Sequence, residues 1–395
     1  MALRTEPRPT TSATATRDSG WIVLAAVVGV LSMIGLMMVL SASSVEAFRR
    51  HGGAWVFFLR QLMWLGLGTL ALLVTASVDY RRWRRVVVPL TVTSFVLLVA
   101  VVIPGVGVTV SGSTRWLAFG PVRVQPSELA KLAVLLFSAD LLARRADTGW
   151  VHDARTTLRP VLLTAGILAG LVLCQPDMGT AMVIVLIVAV TLFVGGVPLG
   201  QMSALTVVMS LSALVLGMGA GYRRARMLSF LRPFEDFSNA GYQLSQSLVA
   251  FGTGSVAGVG LGASRAKWGF LPNAHTDFIF AIIGEELGLL GSLFVLALFA
   301  AFAVVGIRTA LRAPDRFGTL VAAGVTAWVG GQAVVNMGAV TGMLPVTGVP
   351  LPFVSFGGSA LVVTMAAVGI LVNIARQPAR TRRTGPGGQN AMATR

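Results

Sequence analysis

The chain has 395 residues, 55% of them hydrophobic and only 12% charged. An ordinary soluble domain carries about 25% charged residues, which excludes a soluble globular protein. The formal net charge is +16 and comes almost wholly from arginine, but the arginines lie mainly in short segments between apolar runs, a pattern that encodes membrane topology, not nucleic-acid binding. Cys174 is the only cysteine, so no intramolecular disulfide and no cysteine metal site is expected.

Residues 1–19 are polar, contain Arg4, Arg8 and Arg17, and read as a disordered cytoplasmic tail. No small-residue cleavage pattern closes the apolar run from Trp21, which therefore reads as a retained first helix. Runs long enough to cross a bilayer recur near 20–41, 55–77, 86–104, 126–143, 158–174, 178–196, 202–221, 276–305, 319–341 and 358–374, about ten spans in all. The expected fold is an all-α polytopic membrane protein with one membrane unit over 20–375. A long outer loop, about 222–276, separates the seventh and eighth spans. Residues 376–395 read as a disordered basic cytoplasmic tail able to touch anionic membrane lipids. With both termini inside, more of the 31 Lys and Arg residues fall on inner than on outer segments. The outer segments still hold many, and Arg223, Arg224, Arg226, Arg232, Arg265 and Lys267 share the long loop. Clustered arginine suits phosphate, which its fork grips through two hydrogen bonds; contact with lipid headgroups is the ordinary alternative.

Ionisable groups at membrane depth are costly and mark functional positions. Glu128 and Lys131 stand three apart at the start of the fourth span, where they can pair on one helix face. Arg60, in the second span, calls for a partner or a polar cavity. Asp177 sits in the hairpin between the fifth and sixth spans and also suits a helix cap. Asp277 falls at the outer mouth of the eighth span, where Thr276-Asp277 equally resembles a helix start. Glu285 lies eight residues on, about 80° round and roughly 12 Å deeper on a continuous α-helix, so it can share a cavity with Asp277 while Glu286 faces away. Gly252, Gly254, Gly258, Gly260 and Gly262 suggest a nucleotide loop, but no Gly-Lys-Ser/Thr follows and no strand precedes. The three histidines, His51, His152 and His275, form no metal-binding pair.

Four blocks together resemble the SEDS family (shape, elongation, division and sporulation) of bacterial peptidoglycan polymerases. They are Ser113-Thr-Arg115-Trp116 with Gln125-Pro-Ser-Glu128-Leu-Ala-Lys131; Gln175-Pro-Asp177-Met-Gly-Thr180; Gly241-Tyr-Gln243 through to His275-Thr-Asp277-Phe; and Leu344-Pro through Pro350-Leu-Pro352 to Ser355-Phe-Gly357-Gly358-Ser359. The blocks stand in family order over about 20–375. Ala281-Ile-Ile-Gly-Glu285-Glu286 and the Lys267-Trp268 lead-in are most similar to the division-type members, with the elongation type second. Asn273, Phe356 and Ser111-Gly112 depart from the frequent pattern.

The resemblance implies lipid II, an undecaprenyl diphosphate-linked disaccharide-pentapeptide, as substrate. It implies inverting glycosyl transfer on the outer face of the cytoplasmic membrane, at the division septum, with undecaprenyl diphosphate released. Asp277 would be the catalytic base. Arg223, Arg226, Gln243, Gln246, Lys267 and His275 would bind substrate; Arg60, Arg115, Glu128, Lys131, Asp177 and Glu285 would shape the cavity. No cofactor is implied with certainty, and a divalent cation, Mg or Mn, is left open. The expected partners are a class B penicillin-binding transpeptidase and other division proteins, and no nucleic acid. A lipid II flippase and a non-catalytic division scaffold are the alternatives. A flippase needs a polar path reaching both faces, and a scaffold needs no Asp277.

Overall fold

The computed structural model describes residues 19–110, 113–120, 122–147, 154–203, 230, 234 and 241–377. The helices are α1 (Gly20–His51), α2 (Val56–Ser77), α3 (Val87–Val102), α4 (Pro126–Asp147), α5 (Arg159–Cys174), α6 (Met178–Val194), α7 (Tyr242–Gly254), α8 (Ile279–Arg312), α9 (Arg316–Val340) and α10 (Gly358–Arg376). Every expected span except that over 202–221 has its helix, and that span lies almost wholly outside the described residues. Among the described residues, six helices are long and apolar enough to cross a membrane, and α3 and α6 are shorter apolar helices. The chain is a multi-pass membrane protein.

Burial sorts the helices. α2 packs on α10 and turns Leu59, Leu62, Met63, Leu67, Leu70 and Leu73 outward, a stripe at helical spacing that suits lipid. α4 is the opposite case. It carries Glu128, Lys131 and Asp140, yet packs between α3, α5, α6, α9 and α10, with all three side chains turned inward. Pro126 opens α4, where its missing N–H is no loss.

Three features go beyond the sequence expectation. First, α1 runs well past residue 41 and carries Ser41, Glu46 and Arg49 towards the loop over 255–277. Second, β1 (Gly107–Val110), β2 (Ser113–Phe119) and β3 (Val122–Val124) form an antiparallel meander, with Val108 opposite Trp116 and Leu117 opposite Val124. Third, the long loop contains α7, which packs on α8 and α9.

One end of the bundle gathers both ends of the membrane unit. The Arg376 guanidinium lies 4.4 Å from the Trp21 ring centre. Asn373 accepts from the Tyr80 amide at 3.0 Å, at the start of the basic 3-10 turn Tyr80–Arg85. The Tyr80 hydroxyl and the Arg81 guanidinium both donate to Asp315 at 2.8 Å, and Asp140 accepts from Arg84 and Arg144. Burial, then the hydrogen bond to Asp315, pushes the Tyr80 hydroxyl well above its ordinary range. Burial alone would raise Asp315; the bonds from the Gly318 amide, Arg81 and Tyr80 outweigh it and hold the carboxyl below its ordinary value.

Candidate active site

Asp277 lies one residue outside the N-cap of α8. The cap is Phe278, and no side chain caps this helix, so the ordinary reading of Thr276-Asp277 as a helix start does not hold. The segment is instead clamped from the bundle side by the strap over 345–357. Asn336 Nδ2 donates to the Asp277 and Val349 carbonyls, both at 2.7 Å. Ser355 Oγ donates to the Thr276 carbonyl at 2.6 Å and accepts from the Leu351 amide at 2.8 Å. The Phe356 amide donates to the His275 carbonyl at 3.0 Å. Asp277 itself is half-buried. It borders a cavity of about 10 Å³ together with Asn336, Val340, Thr347, Gly348 and Val349. Gly348 adopts φ +73, and a Cβ there would stand 3.5 Å from Asp277 Oδ2; glycine supplies both the turn and the clearance.

Glu128 and Lys131 pair as their spacing predicts, at 2.8 Å, although the approach is off the hydrogen-bonding direction. Lys131 also donates to Gln332 Oε1 at 3.0 Å and lies 5.0 Å from the Trp328 ring centre. Gln332 Nε2 then donates to the Pro350 carbonyl at 2.9 Å. This buried chain props the strap that holds Asp277. Arg115, on β2, bonds Ser113 Oγ and the Gln175 and Pro176 carbonyls, and lies 3.7 Å from Asp177. Asp177 caps α6 by accepting from the Thr180 amide and hydroxyl, and it also accepts from Gln125. Both residues therefore hold the α5–α6 hairpin. His275 is flanked by the rings of Phe57 and Phe356, with Nδ1 3.4 Å from Glu46.

Other expectations are corrected. Among the described residues, Arg60 does not border the Asp277 cavity. It is exposed on the outward side of α2, about one turn from the helix start, where a long side chain reaches the interface. Glu285 does not share the cavity of Asp277, because Asp277 precedes the helix and the 80° relation does not apply. Its carboxylate accepts from Ser264 Oγ and from the Arg265 and Ala266 amides, fixing the 3-10 turn Ala266–Trp268. Glu286 accepts from Ser41 at 2.6 Å, and Lys267 turns its buried ammonium inward to Glu286 at 3.4 Å and to the Gly262 carbonyl. The ammonium of Lys267, expected to bind substrate, thus has internal partners. Gln243 and Gln246 are half-buried in the first two turns of α7. Arg223 and Arg226 lie outside the described residues. Asn336 and Thr347, which sequence reasoning missed, line the Asp277 cavity; only Thr347, inside the block from Leu344 to Ser359, carried a signal, while Asn336 lies within α9.

The glycines of the loop serve α8. At Gly288 (φ 68, ψ −163) the helix breaks. The freed Glu285 and Glu286 carbonyls accept from the Val259 and Gly260 amides, and the Leu289 and Leu290 amides donate to the Ser255 and Val256 carbonyls. The loop thus replaces the missing turn, as backbone at membrane depth requires.

This architecture matches known proteins. The family model described as cell cycle protein, covering FtsW, RodA and SpoVE, matches residues 22–380. The chain belongs to this family. The probable peptidoglycan glycosyltransferase FtsW of Geobacter metallireducens is 41% identical over 344 residues, 87% of this chain and 91% of that protein. Stage V sporulation protein E of Bacillus subtilis is 41% identical over 364 residues, 92% of this chain and 99% of that protein. A solved structure concerning the coordination of polymerization and crosslinking by a peptidoglycan synthase complex aligns with a TM-score of 0.70. It is 30% identical and covers 91% of this chain and 98% of that one. Asp277 stands in one of the four blocks that carry the resemblance.

Among the described residues no three His, Cys, Asp or Glu side chains converge to hold a metal ion. Asp277 has no second carboxylate bordering its cavity, so the described residues do not form a protein-held cation site there.

Proposed function

We propose that this chain is a peptidoglycan glycosyltransferase that polymerises lipid II on the outer face of the cytoplasmic membrane at the division septum. The observation that carries the proposal is Asp277: half-buried, one residue outside the N-cap of α8, and clamped through its own and its neighbours' backbone by Asn336, Ser355 and Phe356. A carboxylate held in this way suits a general base, which must sit within hydrogen-bond reach of the proton it removes. Asp277 takes the proton from the 4-hydroxyl of the acceptor N-acetylglucosamine. That oxygen bonds to C1 of the donor N-acetylmuramic acid with inversion, the C1–phosphate oxygen bond breaks, and undecaprenyl diphosphate leaves. Arg223 and Arg226 stabilise the departing diphosphate, with Gln243 and Gln246 towards the sugars. A divalent cation, if used, arrives with the diphosphate, and no step is assigned to it.

The names of the relatives support the activity. The neighbouring synthase complex supports a partnership with a class B penicillin-binding transpeptidase. We assign both termini to the cytoplasmic side; that the first and last described helices meet at one end of the bundle, through Trp21 and Arg376, supports a shared side. The bundle centre between α4 and α9 is filled by Glu128, Lys131, Trp328 and Gln332, which bond one another; this favours surface chemistry over a flippase. Proteoliposomes holding the protein and its transpeptidase, with lipid II supplied only in the leaflet that faces Asp277, test the reading. Glycan strands are expected there, and strands made only after transfer to the other leaflet would refute it.

A further inference from the structure

Two buried polar atoms beside Asp277 have no hydrogen-bond partner: Asn336 Oδ1 and Thr347 Oγ1. Both residues border the small cavity that Asp277 borders. An unpaired buried polar atom costs about 1–3 kcal/mol. The neighbouring donors are already engaged, Asn336 Nδ2 with the Asp277 and Val349 carbonyls and Ser355 Oγ with the Thr276 carbonyl. The volume, about 10 Å³, is at the lower limit that admits one water, and a buried water needs two to four polar partners. The site offers three, and it is too small for an organic ligand.

We propose that this cavity is an internal water site, and that Asn336 and Thr347 are positioning residues that act on Asp277 through the water. The inference rests on the reading of Asp277 as the base. The hydrogen inventory closes. The Thr347 hydroxyl donates to the water, and the water donates to Asn336 Oδ1 and to the Asp277 carboxylate. Oδ2 is the oxygen on the Gly348 side of the cavity, so the water meets the carboxylate at Oδ2. When the acceptor proton arrives, it stays on the Asp277 carboxyl and no other group changes its protonation. A water-mediated bond of this kind is nearly as favourable as a direct one. It adds a hold on the carboxylate itself to the clamps on the backbone.

Thr347→Val replaces the hydroxyl by a methyl of nearly the same size, and Thr347→Ser keeps the hydroxyl and drops the methyl. Steady-state lipid II polymerisation by the full chain with its transpeptidase is compared for both, with Asp277→Asn alongside. The expected result is a kcat about tenfold lower for Thr347→Val, a KM unchanged within about twofold, and wild-type kinetics for Thr347→Ser. A wild-type kcat for Thr347→Val would overturn the water site while leaving Asp277 as base if Asp277→Asn is inactive. Equal impairment of both Thr347 variants would also overturn it, since packing and not the hydroxyl would then matter. An active Asp277→Asn would remove the base reading and this inference with it.

Discussion

Lys131 is among the largest fully buried side chains of the protein, with its ammonium shared by Glu128, Gln332 and the face of Trp328. Removing one partner of a buried pair leaves the other charged and unsolvated, at a cost of about 3–5 kcal/mol. Lys131→Met is expected to lower thermal stability in detergent on that scale, and Glu128→Gln with Lys131→Met together to recover most of it. Wild-type stability for the single variant would contradict this account of the pair. Asp315 offers a test in pH. Its carboxyl is held below its ordinary value of 3.8, so its contribution to stability is present above that value and lost as pH falls through the lower folded value. Thermal unfolding followed from about pH 5 down to about pH 3 should destabilise wild type more than Asp315→Asn, which keeps the cap on α9 but not the charge. Parallel curves would sink the idea. Residue-level roles were partly legible. The Glu128–Lys131 spacing announced its pair, and Asp177 its cap. Arg60 misled because sequence gives depth along a helix but not the side that faces neighbours.

At the scale of elements, the break in α8 has the most consequence. Gly288 occupies a backbone region that is essentially glycine-only, and a Cβ there would stand 2.4 Å from the Gly258 amide nitrogen. Gly288→Ala is expected to cost at least about 3 kcal/mol and to abolish the monodisperse protein in fluorescence size-exclusion chromatography. Gly29→Ala is the control: it is exposed on α1 with nothing within 4 Å, and it should be neutral or slightly stabilising, by up to about 1 kcal/mol. Equal behaviour of the two would contradict the threaded-loop arrangement. The sequence hid this break because the run from Ile279 is apolar on both sides of Gly288, and a helix-period reading passes through one glycine unchecked. It hid the meander as well. β1 and β3 have only four and three residues, too short to show an alternating pattern above the loop composition around them.

Across the whole molecule, apolar run length was the dependable signal, because a bilayer demands about 20 apolar residues per crossing. It placed each described helix of α1–α6 and α8–α10 within a few residues at most of its termini, apart from the extensions of α1, α4 and α8. What length cannot convey is the division of labour between the ends. One end gathers Trp21, Arg81, Arg84, Asp315 and Arg376 into a basic, ion-paired face. Asp277, the strap and the loop over 255–267 lie away from it, joined by hydrogen bonds that link residues far apart in sequence. The proposed chemistry therefore concentrates on one face, with the Lys131 network filling the space between α4 and α9. The most direct test is polymerisation of lipid II by the purified protein with its transpeptidase, comparing wild type with Asp277→Asn, which has the same shape without the charge. Glycan strands from wild type and none from a well-folded Asp277→Asn are expected; strands of equal yield from both would contradict the assignment of Asp277 as the base.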